Sequence, residues 1–161
     1  MGPVFCAAVS LSPPQRSSGV GGVGEGGGAG SPAGAQPGAA PRAMRILVAD
    51  DEDVLRMLLV EALRDEGLEV VDAADGEDAL RLATAERFDA LVLDHRMPGL
   101  TGGEVYEQLK IRGSAAPAIL ITAAREAAEI GASFGFKHVI AKPFDVEDLL
   151  VCLRRVTDGA G

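Results

Sequence analysis

The sequence predicts an α/β domain built on a five-stranded, doubly wound parallel sheet. Three observations predict it. From Met44 onward, five short apolar runs alternate with segments whose apolar residues recur at helical spacing. The connections are short, and strands joined through helices run parallel with helices on both faces. The residues that would interrupt such a fold are gathered upstream: residues 1–43 hold 11 of the 21 Gly and 6 of the 9 Pro.

The first strand is Arg45-Ile46-Leu47-Val48-Ala49, a continuous apolar run of the kind that burial on both faces requires. Leu55, Leu58, Leu59, Ala62 and Leu63 then mark one face of a helix that Gly67 stops. Leu68–Ala73 reads as the second strand, and Gly76–Arg87 as a helix with Ala79, Leu80 and Ala83 inward. Asp89-Ala90-Leu91-Val92-Leu93 is the third strand and ends at Asp94. Pro98, Gly99 and Gly102 mark a loop before a helix over Gly103–Ile111. Pro117–Ile121 is strand four, ending at Thr122, and a short helix over Ala123–Ile130 follows. Lys137–Ala141 is strand five and ends at Lys142-Pro143. Asp145, with Asp148 three residues on, caps a last helix with Val146, Leu149, Leu150 and Leu153 inward.

Composition narrows the function. The 161 residues hold about one domain. A net charge of −9 speaks against coating DNA or RNA, where phosphate contacts need clustered Lys and Arg; it suits a divalent cation or a basic partner. Two Cys provide neither a disulfide framework nor a Cys-rich zinc site. No apolar run approaches the roughly 18 residues that cross a bilayer.

Residues 1–43 have no apolar period, and Gly19–Gly28 offers little to bury, so the segment reads as a disordered tail. No Lys or Arg precedes the short patch Val4–Val9 and Pro3 breaks it, which argues against a signal peptide and for a cytoplasmic protein. Met44 directly precedes the first strand and is a candidate true start, with the domain spanning 44–158. The tail carries one acid and two bases, so the folded part is more acidic than the whole, at −10.

The chemistry gathers at the carboxyl ends of the strands, where open α/β sheets place their sites. Strand one ends in Asp50-Asp51, strand three in Asp94, strand four in Thr122 and strand five in Lys142. In a flavodoxin-like (βα)5 order, 2-1-3-4-5, strands one and three are neighbours and three carboxylates share one crevice. Three such charges need compensation. Lys142 brings one, and a hard divalent cation with oxygen ligands, most simply Mg2+, brings the rest. That arrangement suits phosphoryl transfer, with a carboxylate as nucleophile.

Four stretches then carry a resemblance: Leu47-Val48-Ala49-Asp50-Asp51, Asp94-His95-Arg96-Met97-Pro98-Gly99-Leu100-Thr101-Gly102, Ile121-Thr122-Ala123 and Lys142-Pro143-Phe144. Together and in order, from Arg45 to about Val156, they resemble the response-regulator receiver domain of two-component signalling. The resemblance implies that Asp94 is the phosphoacceptor. It implies that Asp51 and the backbone carbonyl of Arg96 bind Mg2+ directly, with Asp94 on the same ion and Asp50 partly through water. Thr122 and Lys142 would each meet a phosphoryl oxygen, small Ala123 would leave room, and Lys142–Pro143 would be cis. The partners implied are a histidine kinase or histidine phosphotransfer protein and a downstream protein target. Neither nucleic acid nor membrane is expected, and the protein would be a monomer or a weak, phosphorylation-dependent dimer.

Two departures stand out. Val139 occupies a position where the family often has Tyr or Phe, an aromatic that turns inward on activation. The segment from Thr122 to Lys142 is shorter than is common, so the fourth helix is expected to be short. Arg96 and Ala124, which flank the phosphoryl position in the family, offer no group to orient an attacking water. A phosphoryl group longer-lived than in chemotaxis regulators is expected.

Other residues read as ordinary structure: His95 exposed and inert, His138 on the surface of a strand, Cys152 as packing, and Phe134, Phe136 and Phe144 as core or shoulder. Only Thr157–Gly161 follow the last helix, so the expectation is a single-domain switch or relay that catalyses only its own phosphorylation and dephosphorylation. A phosphorylation-independent adaptor and a small Asp-nucleophile phosphatase are the alternatives. The phosphatase would need an acid at position 96, where Arg stands. A flavodoxin-type cofactor site is excluded, because Asp50–Asp53 would repel phosphate after strand one.

Overall fold

A computed structural model describes residues 42–113 and 116–160. The disordered-tail reading thus falls outside the described residues, save for Arg42 and Ala43. The elements alternate as β1 (Arg45–Ala49), α1 (Asp53–Asp65), β2 (Glu69–Ala73), α2 (Gly76–Ala85), β3 (Ala90–Asp94), α3 (Gly102–Ile111), β4 (Ala118–Ala123), α4 (Ala124–Phe134), β5 (His138–Lys142) and α5 (Val146–Ala160). The strands form one parallel sheet in the expected order, β2-β1-β3-β4-β5.

Alternation along the strands sorts the core into two layers. Ile46, Val48, Val92, Ile119, Ile121 and Ile140 point to α1 and α5, meeting Leu59, Leu63, Leu149 and Leu153. Leu47, Ala49, Leu91, Leu93, Leu120 and Val139 point the other way, onto Ala79 and Ala83 of α2, Val105 and Leu109 of α3, and Ala127 of α4. Each large apolar side chain fully buried here is worth about 1.5–3 kcal/mol, which is why the central strands carry no polar residue until their carboxyl ends. Cys152 is wholly buried in the first layer, and Phe136 is largely buried in the second.

Caps set the helix starts. Asp75 accepts the Asp78 N–H at 2.8 Å ahead of α2. Thr101 and Glu104 form a reciprocal capping box at α3, a signal that the sequence holds in Thr101-Gly102-Gly103-Glu104. At α5 the Asp148 carboxylate accepts the Asp145 N–H at 3.2 Å.

Two helices differ from the sequence reading: in α1, Leu58, placed on one helix face with Leu59 and Leu63, is exposed while those two are buried, and α4 has a further turn. The fourth helix is not short: it runs through Ile130 to Phe134. Gly131 does not end it, because this residue lies where the helix touches β5. A Cβ at Gly131 would sit 2.7 Å from Val139 Cγ2, so the missing side chain lets the backbone rest directly on the strand. The helix stops at Gly135, whose φ of 76° is left-handed.

Candidate functional site

Every polar side chain that is buried among the described residues lies at one sheet edge: Asp50 (1% exposed), Asp94 (3%) and Thr122 (2%). Their positions follow from the topology. β1 and β3 are neighbours, so the acids at their ends share a crevice. Asp94 pairs in register with Ile121, which places Thr122 beside it on β4. Carboxylate oxygens of Asp50, Asp51 and Asp94 lie within 4.8 Å of one another. Lys142, at the end of β5, reaches across to Asp94 Oδ1 at 3.1 Å. The Lys142–Pro143 peptide is cis, as the resemblance implies.

The electrostatics of this crevice are unbalanced. Burial, followed by the charge of Asp50, pushes the Asp94 carboxyl up from 3.8 to about 6, against the pull of Lys142. Burial also raises Asp50, opposed by the Glu52 N–H that donates to its Oδ1 at 2.8 Å. Burial lowers Lys142, but the adjoining Asp94 outweighs it and the net direction is up. Three acids against one lysine leave excess negative charge in a desolvated place. Two buried atoms, Asp50 Oδ2 and Thr122 Oγ1, make no hydrogen bond among the described residues. A carboxylate oxygen is an acceptor and suits a cation; a hydroxyl can donate to an anionic oxygen. The donor set is all oxygen, which fits a hard divalent ion such as Mg2+ rather than zinc.

Other residues brace this arrangement. Arg56 of α1 donates Nη1 to the Asp50 carbonyl at 2.8 Å while its Nε and Nη2 meet Asp72 and Asp53, each at 2.8 Å. The Arg56–Asp53 spacing on a helix was readable from the sequence, whereas the Asp72 contact needs β2 beside α1. Arg96, in the loop after β3, turns its side chain to Glu126 of α4 at 2.6 Å. No sequence signal paired these two. His95 is half-buried rather than exposed: its Nδ1 accepts the Gly103 N–H at 3.4 Å, its ring lies 5.9 Å from Phe134, and burial lowers its pKa. His138 is likewise half-buried on edge strand β5.

Fold and crevice together define a doubly wound (βα)5 domain with an acidic, lysine-bearing site at its strand ends. Residues 46–154 match the family model of the response regulator receiver domain, and the chain belongs to that family. It is similar to the response regulator MprA of Mycolicibacterium vanbaalenii, 41% identical over 126 residues that cover 73% of this chain and 54% of that protein. The chain therefore spans about half the length of such relatives. Among solved structures it is similar to the receiver domain of the sensor histidine kinase PA1611 from Pseudomonas aeruginosa, with a magnesium ion in its active site cleft. The TM-score is 0.68 at 29% identity, covering 73% of this chain and 99% of that one. It is also similar to the response regulator TrrA of Thermotoga maritima in complex with Mg2+ and BeF. There the TM-score is 0.64 at 32% identity, covering 70% and 98%. Among the described residues, no helix is long and apolar enough to cross a membrane.

Proposed function

We propose that this receiver domain is switched by phosphorylation of Asp94, taking the group from a histidine kinase or a histidine phosphotransfer protein. One Asp94 oxygen attacks the phosphorus of a phosphohistidine. The P–N bond breaks, the imidazole leaves, and an acyl phosphate remains on Asp94. Asp50, Asp51, Asp94 and the Arg96 carbonyl would hold Mg2+. When bound, the ion neutralises the acids and draws the incoming phosphoryl oxygens toward them. Thr122 Oγ1 donates to one phosphoryl oxygen, and Lys142 Nζ, already on Asp94, meets another.

The observation that carries this reading is the pairing of buried Asp94 with Lys142 beside two further acids and an unpartnered hydroxyl. The relatives support it: TrrA was captured with Mg2+ and BeF, and the PA1611 domain with magnesium. The domain acts only on itself in this scheme, in transfer and in autodephosphorylation, and works in the cytoplasm by docking a protein target or relaying the group. The acidity of residues 44–161 favours a protein partner over nucleic acid.

The test is a single phosphoryl label per chain from acetyl phosphate, read by intact mass. It should appear on the wild type with Mg2+ and vanish in EDTA and in Asp94→Ala. Label retained by Asp94→Ala would reject the assignment. The single-domain reading and the Met44 start are decided by the intact mass of the protein in its native cell, since relatives such as MprA are about twice as long.

A further inference from the structure

We propose that Glu126 and Arg96 form a latch over this site: Glu126 holds the Arg96 guanidinium while Asp94 is a free carboxylate, and the phosphoryl group draws it away. The inference rests on Asp94 being the phosphoacceptor.

Position comes first. Arg96 lies two residues beyond Asp94, and Glu126 four beyond Thr122, while Asp94 and Thr122 end adjacent strands. The Arg96 Nη2–Glu126 Oε2 bridge, at 2.6 Å, therefore joins the loop after β3 to the first turn of α4 at the lip of the crevice. The Arg96 side chain is 72% exposed, and among the described residues its one hydrogen-bonded partner is Glu126. Glu126 offers one negative charge; a phosphoryl group on Asp94 would bring about two, with oxygens that match the forked donors of a guanidinium.

Attachment comes second. The far end of α4 is fastened by close apolar packing. Gly131 lies against Val139, and the Phe134 ring covers Gly103 so closely that a Cβ there would overlap it. Lys110 Nζ donates to the Phe134 carbonyl at 2.7 Å. Ahead of the buried Ala127 the attachment differs: Ala123 supplies no side-chain cap, and the bridge to Arg96 is polar and exposed. If α4 moves, its first turn is the part that can.

Two effects follow. Arg96 folded over the phosphoryl group shields the phosphorus from water, whose attack would break the bond to the Asp94 oxygen and release inorganic phosphate. Glu126, left without its partner, loosens the first turn of α4. This transmits phosphorylation to α4 even though Val139 cannot act as a swinging aromatic.

The experiment compares wild type, Glu126→Gln, Arg96→Gln and the double variant, each phosphorylated with acetyl phosphate and Mg2+. Half-life is read by phosphate-affinity electrophoresis, and amide exchange is followed over residues 124–127. Glu126→Gln should lengthen the half-life about two- to fivefold, the scale of an exposed ion pair, and should do nothing in the Arg96→Gln background. Its unphosphorylated form should show the α4 exchange of phosphorylated wild type. Equal effects of Glu126→Gln in both backgrounds, or an unchanged half-life, would overturn the latch alone. A wild type that takes no label would overturn the phosphoacceptor reading, and the latch with it.

Discussion

Asp94→Asn removes a charge that the metal-free fold resists. The Asp94 carboxyl is raised from 3.8 to about 6, chiefly by burial and then by Asp50. Between those values the folded protein binds a proton that the unfolded chain has lost. Stability from this group is therefore fully present below the unfolded value and is lost as pH rises through the folded one. One pKa unit corresponds to about 1.4 kcal/mol, so the ionised carboxylate destabilises the metal-free fold by up to roughly 3 kcal/mol near neutral pH. Asn keeps the shape, still offers an oxygen to Lys142, and carries no charge. Urea unfolding in EDTA should find Asp94→Asn more stable than wild type by about 1–3 kcal/mol near pH 7.5, the gap closing below about pH 4. Added Mg2+ should narrow the gap, because an ion held by the native acids stabilises the wild type by mass action. Equal stability in EDTA near neutral pH, or a less stable variant, would refute the claim that the crevice is electrostatically overloaded.

Other perturbations test separate parts of the structure. Lys142→Met leaves Asp94 and Asp50 without their cation and should cost about 1–3 kcal/mol in EDTA at neutral pH, less at acid pH, with partial rescue by Mg2+ in the same unfolding assay. Mg2+ should raise the Tm of the wild type, and Asp51→Asn should remove most of that rise. Gly131→Ala should destabilise by about 1–3 kcal/mol through the Val139 contact, and the loss should shrink in a Val139→Ala background. A stabilising Gly131→Ala, as at an exposed helical glycine, would contradict the close approach of α4 to β5. Val54, Met57 and Leu58 form an exposed apolar face on α1. Leu58→Glu should slow transfer from a phosphohistidine donor about tenfold while leaving labelling by acetyl phosphate unchanged, if the donor docks there.

Much of this was legible from the chain alone because its signals are local. Five apolar runs and the helical spacing between them carry the topology, and Asp50, Asp51, Asp94, Thr122 and Lys142 each follow a run directly. Burial on both faces excludes polar residues from strand interiors, so chemistry can start only where a strand ends. The missed features are contacts between segments distant in sequence. The fourth helix reads as short, over Ala123–Ile130, until β5 lies under Gly131 and the helix continues to Phe134. His95 reads as an exposed loop residue until Phe134 arrives from the end of α4.

By itself the sequence determined the fold class, the acidic edge and the residue types available there, since periodicity and strand-end composition are properties of short windows. Tertiary structure alone decided the electrostatic state of that edge. Asp94 is raised because burial and Asp50 act together, and Lys142 lies within hydrogen-bonding distance because β5 sits beside β4. It also decided the partner of Arg96, across 30 residues of chain. Charge interactions and packing depend on distance in space, which spacing along a sequence does not encode.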